Sequence, residues 1–242
     1  MLSVGPAYAV DRVVSLNLCT DQWLVLLAPE KIVGLSQLAR DPALSFVASR
    51  AARLPVVRTS AEAVMALHPD LVLGARFGAR TTLALLERAG LNVRRLDMST
   101  DFPGIAATLR DVAALLGVPD RAEPLISAMV AALPQPGVGA AVETLVWQPR
   151  GLTSGPGGLM DSVLRAANLR NAGSGSRVGL EALLRHPPAL LVMPENDAGS
   201  SLATEMQAHP ALRDIPVRTV PSKLTICAGP FTAEAVSLLA RP

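Results

Sequence analysis

Lysine and clustered basic side chains are scarce in this chain. Lys31 and Lys223 are the only lysines, the other cations are arginines scattered along the sequence, and the formal net charge is only +2. Proteins that bind nucleic acid usually gather basic side chains into a patch or a stripe. Because the sequence contains no such run, we expect no nucleic-acid partner.

Long apolar runs and dense charge are missing as well. The longest apolar stretch near the start, 23–28, is far shorter than the roughly 20 residues that a membrane-spanning helix needs. We therefore expect no membrane span. Half of the residues are apolar and 17% are charged, which is the composition of a folded protein. A chain of 242 residues is long enough for two lobes of ordinary domain size.

Cysteine is nearly absent, since Cys19 and Cys227 are the only two. Two cysteines are too few for a disulfide framework. They lie in opposite halves of the chain, each just after an apolar strand-like run, and a bridge between them would tie the lobes together, which would be unexpected if the lobes must move. We therefore expect two small buried thiols. The alternative is a two-lobed α/β enzyme whose cleft uses the chemistry of these two cysteines.

Catalytic and metal-site signatures are absent too. The sequence has no Gly-x-Ser-x-Gly elbow and no Gly-x-x-x-x-Gly-Lys-Ser/Thr loop, so we do not expect an enzyme. The segment 155–158, Gly-Pro-Gly-Gly, precedes a predicted helix and could hold an anion there, but it lacks the spacing of a dinucleotide fingerprint. His68, His186 and His209 each precede a proline at a predicted helix end, whereas a transition-metal site gathers several ligands. We expect no cofactor and no metal bound by protein ligands.

The first nine residues carry an export signal in part. They end in Ala-Tyr-Ala at 7–9, which has the small-x-small form of a signal-peptidase site. The charged start and the full apolar core of a signal peptide are missing. We interpret residues 1–9 as a signal-peptide remnant.

A repeated pattern organises the rest of the chain. Two stretches both read Glu, six residues, Pro, one residue and then an apolar run. Glu62 aligns with Glu181 and Pro69 with Pro188, since 181 − 62 and 188 − 69 both equal 119. Proline ends a helix, and a continuous apolar run is typical of a strand covered on both faces. Each copy therefore predicts a short helix that leads into a buried parallel strand, and the repeat indicates two similar halves. The helix dipole alone could favour an acid in each first turn.

The order of predicted elements is that of an α/β fold. Each half alternates strands and helices with short connections, which predicts a mostly parallel sheet flanked by helices. Helical spacing over 102–116 and 119–133 predicts a stiff helical connection rather than a flexible linker. We predict an N-terminal α/β lobe over 10–117, a single rigid connecting helix over 118–136 and a C-terminal α/β lobe over 137–242, with a ligand cleft between the lobes.

Some helix bounds are predicted more finely. Thr20 and Asp21 suit the N-cap and first turn of a helix that runs through Leu27. Further helices are predicted near 43–52 and over 200–208.

Polar and aromatic side chains gather at the predicted strand ends, where parallel α/β sheets bind ligands. Several guanidiniums, amides and a few aromatic rings would suit a bulky, partly apolar ligand with carboxylate, phosphate or amide edges. A solvated surface charge is the simpler interpretation of any single arginine. The candidates are Asn17, Cys19, Arg40, Arg76, Phe77 and Arg80 in the first half and Trp147, Arg150, Asn196, Leu224 and Cys227 in the second half.

These features together resemble a known family. The segments 13–17 (Val-Val-Ser-Leu-Asn), 62–73, 153–155 (Thr-Ser-Gly) and 181–193, with the helical midpoint, are similar to periplasmic binding proteins of ABC importers for ferric siderophores, haem and cobalamin. The resemblance covers nearly the whole chain after residue 9. It implies periplasmic localisation, two α/β lobes joined by one rigid helix, and a metal chelate held between the lobes.

The resemblance also implies partners and a ligand class. In this family a glutamate on each lobe docks into arginine pockets of the permease dimer, and these positions match Glu62 and Glu181, so we expect an ABC permease partner and a monomeric protein. Haem-binding members usually offer Tyr or His as an iron ligand, whereas the only tyrosine here is Tyr8. A ferric siderophore or a cobalamin-type corrinoid, which needs no protein ligand, therefore fits better. A haem-binding member of the same family is the alternative.

Overall fold

The computed structural model describes residues 10–135, 140–195 and 204–241. The chain divides into one unit made of Met1–Met98 with Ala106–Leu125 and a second made of Ser99–Ile105 with Ile126–Pro242. The boundaries predicted at 117 and 136 stay a prediction, and the signal-peptide remnant lies outside the described residues.

The first unit is built on a four-stranded parallel sheet. Its strands are β1 (Val13–Ser15), β2 (Ile32–Gly34), β3 (Leu71–Ala75) and β4 (Val93–Leu96). They lie in the order β2-β1-β3-β4. Val13 pairs with Ile32 on one side and with Leu71 on the other, so the first strand of the chain lies inside the sheet.

The second unit is built on another four-stranded parallel sheet. Its strands are β5 (Val142–Val146), β6 (Leu169–Asn171), β7 (Leu190–Pro194) and β8 (Val217–Val220). They lie in the order β6-β5-β7-β8. Leu145 pairs with Leu191, and Leu191 pairs with Val217 on its other side, so β7 is an inner strand like β3.

Helices connect the strands in both units. They are α1 (Leu18–Leu27), α2 (Ala48–Ala51), α3 (Ala61–Met65), α4 (Arg80–Arg88), α5 (Phe102–Leu115), α6 (Ala122–Ala132), α7 (Leu159–Ala166), α8 (Leu180–Arg185) and α9 (Thr232–Leu239). None of the helices in the described part of the chain has the length and apolar character needed to cross a membrane. The predicted fold class, α/β with parallel sheets flanked by helices, is confirmed.

The two sheets share one topology. Numbered along the chain within each sheet, the strands lie side by side in the order second, first, third, fourth in both sheets. The third strands, β3 and β7, begin at Leu71 and Leu190, and 190 − 71 equals 119, the offset of the repeated pattern. The helices that precede them, α3 and α8, carry the two aligned glutamates. The repeat is therefore a structural one, and Glu62 and Glu181 occupy equivalent positions in their own units.

Burial of the strands explains their continuous apolar runs. All five residues of β3 are buried, and so are the first four of β7. In unit 1, Val14 and Val72 share a core with Leu86, while in unit 2 Leu145 and Leu191 share another core. Each unit therefore has its own apolar core.

The start of α1 differs from the prediction. The N-cap is Asn17, because its side-chain oxygen accepts a hydrogen bond from the Cys19 N–H at 2.9 Å. Thr20, the predicted N-cap, lies inside the helix, and its buried hydroxyl donates to the Asn17 carbonyl at 3.0 Å. A Thr can serve either position, so the pattern did not decide between the two residues.

Asp21 lies in the first turn of α1, as predicted, and is buried in this first unit. Its side chain has no solvent exposure, and the Ser36 N–H donates to its Oδ1 at 3.3 Å. Burial raises the pKa of Asp21 to about 7, although hydrogen bonds from Ser15 and Ser36 act in the opposite direction. The loss of hydration outweighs these bonds because a carboxylate is far better solvated by water than by two hydroxyls.

Two other predicted helices are shorter in the structure. Only Ala48–Ala51 of the helix predicted near 43–52 is α-helical, because side chains bind the preceding backbone: Asp41 accepts from the Ala43 N–H at 2.9 Å. Part of 200–208 lies outside the described residues, and Glu205–Ala208 forms a 3₁₀ turn. The short strand β6 was not predicted, since three residues leave too little periodicity to recognise.

The buried Asp21 carboxyl predicts a specific dependence of stability on pH. The folded state holds this proton up to about pH 7 and the unfolded state loses it near 3.8, so its contribution to stability is fully present below the lower value and is lost as pH rises through the upper one. We expect Asp21→Asn to remove this loss. The free energy of unfolding of the variant should therefore rise relative to that of wild type by up to about 1.4 kcal/mol for each pH unit within that window. Urea unfolding of both proteins across the window measures it. The exposed Asp111→Asn variant is the control, and a wild-type-to-variant difference that stays constant with pH would contradict the prediction.

Candidate functional site

Each unit carries a cavity at the carboxyl end of its own sheet, where parallel α/β folds bind ligands. In unit 1 the cavity measures about 350 Å³ and is lined by residues that follow β1, β2 and β3. Among them, Leu16 and Asn17 come directly after β1, Ser36 and Leu38 follow β2, and Gly78 follows β3. The strand ends therefore converge on one hollow.

The cavity of unit 2 also lies at the carboxyl end of its sheet, and it measures about 430 Å³. Its floor is formed by the ends of β5, β7 and β8, through Val146, Met193 and Val220. Met160 of α7 and Ile226 after β8 complete an apolar lining. Gln148, Ser222 and Thr225 add polar groups to this lining. This hollow suits a ligand that is largely apolar and carries some polar groups.

Two loops of unit 2, one after β5 and one after β6, pack closely against each other. Gly151 has φ +74°, and a Cβ there would lie 2.4 Å from the Val178 carbonyl oxygen. Gly173 approaches as closely, since a Cβ would lie 2.3 Å from the Ser154 carbonyl oxygen. Thr153 adds a hydrogen bond from its hydroxyl to the Ser176 carbonyl at 2.7 Å. The backbones of the loops at 151–155 and 173–178 are thus in direct contact with each other.

The glycine-rich segment before α7 is held by the chain's own carboxylate. Asp161 accepts from the Gly157 N–H at 3.0 Å and from the Asn171 amide at 3.1 Å. The Gly157 N–H and the Asn171 amide hold the pKa of Asp161 below its ordinary value, against a smaller effect of burial. The segment considered for an external anion is therefore already occupied by an internal one.

The site residues predicted in unit 1 have different environments. Asn17 lines the cavity as the cap of α1, and Phe77, after β3, is 79% exposed. Arg76 forms an exposed ion pair with Asp97. The Arg40 guanidinium donates to the carbonyls of Ala51 and Leu54, at 3.3 and 2.6 Å. Arg80 is the exposed first residue of α4.

The site residues predicted in unit 2 are mostly internal. Trp147 has no exposed surface, and its indole N–H donates to the Val178 carbonyl at 2.9 Å, so the structure makes it a core residue. Leu224 is 3% exposed. Arg150 is exposed in a tight turn with φ +61°. Asn196 lies outside the described residues.

The prediction of two free thiols is wrong. Cys19 and Cys227 are buried, as expected, but both are disulfide-bonded and the chain has no free cysteine. Sequence spacing says nothing about the distance between two sulfurs in the fold, which decides whether they can be bridged. The disulfide also removes the thiol nucleophile that the enzyme alternative required.

Sequence reasoning missed the apolar side chains that line the cavities. Met160, Met193 and Ile226 line the cavity of unit 2 but are not among the predicted site residues. Met193 ends the apolar run of β7, and this position at a strand end was the available signal. No group of three or more His, Cys, Asp or Glu residues in 10–135, 140–195 and 204–241 is arranged to hold a metal ion.

The two glutamates of the repeat lie outside both cavities. Glu62 is in the first turn of α3 and Glu181 in the first turn of α8, and both are exposed. Within the described residues neither carboxylate takes part in an ion pair, in contrast to acids such as Glu87 and Glu123, which bind arginines. Both carboxylates are therefore accessible to a partner.

Comparison with known families identifies the chain. The family model described as "Periplasmic binding protein" matches residues 13–217, which is most of the sequence and includes the first sheet and the strands β5 to β7 of the second. The chain belongs to the periplasmic binding protein family. It is therefore located in the periplasm, and its family implies a small-molecule ligand and an ABC transporter permease as partner. A search of curated protein sequences finds no match.

Solved structures of periplasmic binding proteins share this fold. A periplasmic heme-binding protein from Pseudomonas aeruginosa is 24% identical, with 96% of this chain and 91% of that chain covered and a TM-score of 0.74. The periplasmic heme-binding protein RhuT from Roseiflexus sp. RS-1 is 22% identical, with 96% and 98% covered and a TM-score of 0.73. The periplasmic heme-binding protein HutB of Vibrio cholerae is 16% identical, with 95% and 97% covered and a TM-score of 0.75. At these identities the likeness establishes the fold, and all three are binding proteins.

The oxidised cysteines of this periplasmic binding protein predict its response to alkylation. Disulfides persist in the oxidising periplasm. We expect iodoacetamide to leave the native protein unmodified and to add a group to each of the 2 cysteines after reduction and unfolding, as intact mass spectrometry measures. Modification of the native protein without reductant would contradict the disulfide.

Proposed function

We propose that this periplasmic binding protein captures a metal chelate, a ferric siderophore or a cobalamin-type corrinoid, and delivers it to the permease of an ABC importer. The observation that carries the proposal is the apolar character of the loops at the carboxyl ends of both sheets. Leu38, Phe77, Leu152 and Ile226 stand in these loops, and each exposes between 44% and 79% of its surface. Exposed apolar side chains beside a cavity are typical of a binding site.

A preformed chelate explains why these loops are apolar rather than rich in ligating groups. Neither cavity is lined by a histidine, cysteine or carboxylate among the described residues. A siderophore or a corrinoid already fills the coordination sphere of its metal, so the protein has only to cover the organic surface. Arg58 and Asn17 at the unit 1 cavity and Gln148 at the unit 2 cavity can meet carboxylate or amide edges of such a ligand. The proposal includes the expectation from the sequence that the ligand lies between the two lobes.

Haem is a second candidate ligand. The observation in its favour is that the three structurally similar proteins are named as heme-binding. Burial of its apolar surface would favour the binding of haem in the same way as it favours a siderophore or a corrinoid. What sets it apart is the axial position of its iron, which a histidine, a tyrosine or a thioether can fill.

Glu62 and Glu181 are proposed to dock the protein on the permease dimer. They are equivalent in the repeat, exposed, and without an ion pair in the described part of the structure, so each can accept a cation of the partner. One chain carries both acids, and a dimeric permease offers two equivalent subunits. A single binding protein therefore satisfies both sites, which is why we propose that it acts as a monomer.

A ligand panel tests the proposed class. We expect ferric siderophores or cobalamin to raise the melting temperature of the protein, and Phe77→Ala and Ile226→Ala each to weaken binding about tenfold, since each removes a large apolar contact. Leu85→Ala and Val130→Ala, which remove side chains that are 46% and 58% exposed on α4 and α6, are the controls. Stabilisation by haem alone, read together with its absorption spectrum, would replace the leading ligand by the second candidate. No response to any member would overturn the metal-chelate proposal.

Docking is tested by removing the two negative charges. We expect the double variant Glu62→Gln and Glu181→Gln to lose uptake into vesicles that contain the permease and its ATPase, while the affinity for the chelate found in the panel is unchanged. Glu234→Gln is a matched control, because Glu234 is also an exposed acid in the first turn of a helix. Unchanged uptake, or a loss of chelate affinity in the glutamate variant, would contradict the docking role.

A further inference from the structure

Each of the two glutamates is followed three residues later by an exposed apolar side chain. Met65 follows Glu62 and is 37% exposed, and Leu184 follows Glu181 and is 38% exposed. They are two of only ten large apolar side chains that remain exposed in the described residues. Since 184 − 65 also equals 119, the repeat duplicates an acid together with an apolar neighbour.

The geometry of the helices places each acid beside its apolar neighbour. Side chains three residues apart on a helix lie next to each other on its surface. The residue before each exposed apolar side chain is a core anchor: Val64 has no exposed surface and Leu183 is 1% exposed. These anchors are also 119 positions apart, and each packs into the core of its own unit. The two helices are therefore anchored alike and leave the same pair in water.

An isolated exposed apolar side chain needs no explanation, but a repeated one does. Met65 also borders a surface hollow of about 410 Å³, together with His68, Pro69 and Leu91. Such a hollow can accept a side chain from a partner. The surface at α3 is thus charged at Glu62 and apolar one helical turn further on.

We propose that Met65 and Leu184, together with Glu62 and Glu181, form a duplicated docking surface for the permease dimer. This inference rests on the docking role proposed above and adds its apolar half. Each permease subunit would contact one copy, with a cationic side chain on the acid and an apolar side chain on its neighbour. Two like acids disfavour a second copy of this chain as the occupant, because carboxylates brought together repel each other. A dimer with two basic patches matches both the number and the charge of the copies.

The two parts of the surface contribute differently to association. Exposed charges act over distance and are screened by salt, so the acids govern the rate of encounter. Burial of apolar surface is short-ranged and persists at high salt. The apolar side chains would therefore hold the complex after the acids have oriented it.

Binding to the permease and its ATPase in nanodiscs tests this inference by biolayer interferometry, with the protein free of ligand. We expect Met65→Ala and Leu184→Ala each to weaken binding about fivefold, because only the exposed third of each side chain is left to bury, and the double variant to weaken it by roughly the product. The loss should lie in faster dissociation and should persist at high salt. Leu85→Ala and Val130→Ala, with similar or greater exposure elsewhere, should bind like wild type.

The outcomes separate this inference from the function on which it rests. If Glu62→Gln with Glu181→Gln abolishes binding while Met65→Ala with Leu184→Ala changes nothing, the docking role stands and the apolar half is overturned. If none of these substitutions alters binding, both proposals fail. Thermal melting of each variant identifies misfolding, and Met65→Leu should restore binding where Met65→Ala loses it. Self-association of the wild type that Leu184→Ala abolishes would assign the surface to a second copy instead.

Discussion

Parallel pairing of the first and third strands of each sheet is the constraint on which the rest of this protein depends. Val13 lies beside Leu71 in one sheet and Thr144 beside Leu190 in the other. Two parallel neighbours cannot be joined by a tight turn, so a crossover must carry the chain back to the same end of the sheet. The last helix of each crossover, α3 or α8, ends just before its strand. Each acid stands nine residues before the strand that follows it, since 71 − 62 and 190 − 181 both equal 9. The crossovers also bring the loops that we propose to bind the ligand to one end of each sheet.

Burial divides the acids of this protein into two kinds. Asp21 lies inside unit 1, where loss of hydration dominates and favours the protonated form. Asp161 is also largely covered, yet it meets an N–H and an amide that favour the charged form. The first acid is neutral below about pH 7, whereas the second stays charged and holds the loop before α7. The exposed glutamates belong to neither kind, because water solvates them until a partner does.

The sequence predicts the repeated part of the fold well and the site less well. Glu62, Pro69 and the following strand are linked by local rules of helix start, helix end and burial, and these rules apply again at the second copy. The start of α1 was missed because Asn17, Thr20 and Asp21 can all cap a helix, and tertiary burial made the choice. Trp147 was predicted in the site because it follows a strand, but its indole finds a carbonyl acceptor from a distant loop. Local sequence does not show how far the Trp147 indole lies from the Val178 carbonyl, nor how far apart the two cysteine sulfurs lie.

The placement of the two glutamates resolves a difficulty that any docking acid faces. A carboxylate that waits for a cationic partner must remain unpaired without weakening the fold. At a helix start the positive end of the dipole stabilises it by about 0.3–1 kcal/mol at an exposed position, so Glu62 and Glu181 need no partner within their own units. An apolar neighbour that stays in water, such as Met65 or Leu184, costs more the more surface it exposes. Retaining about a third of that surface twice, at one offset, is therefore the feature of these helices that stability of the isolated protein does not explain and that the proposed docking surface accounts for.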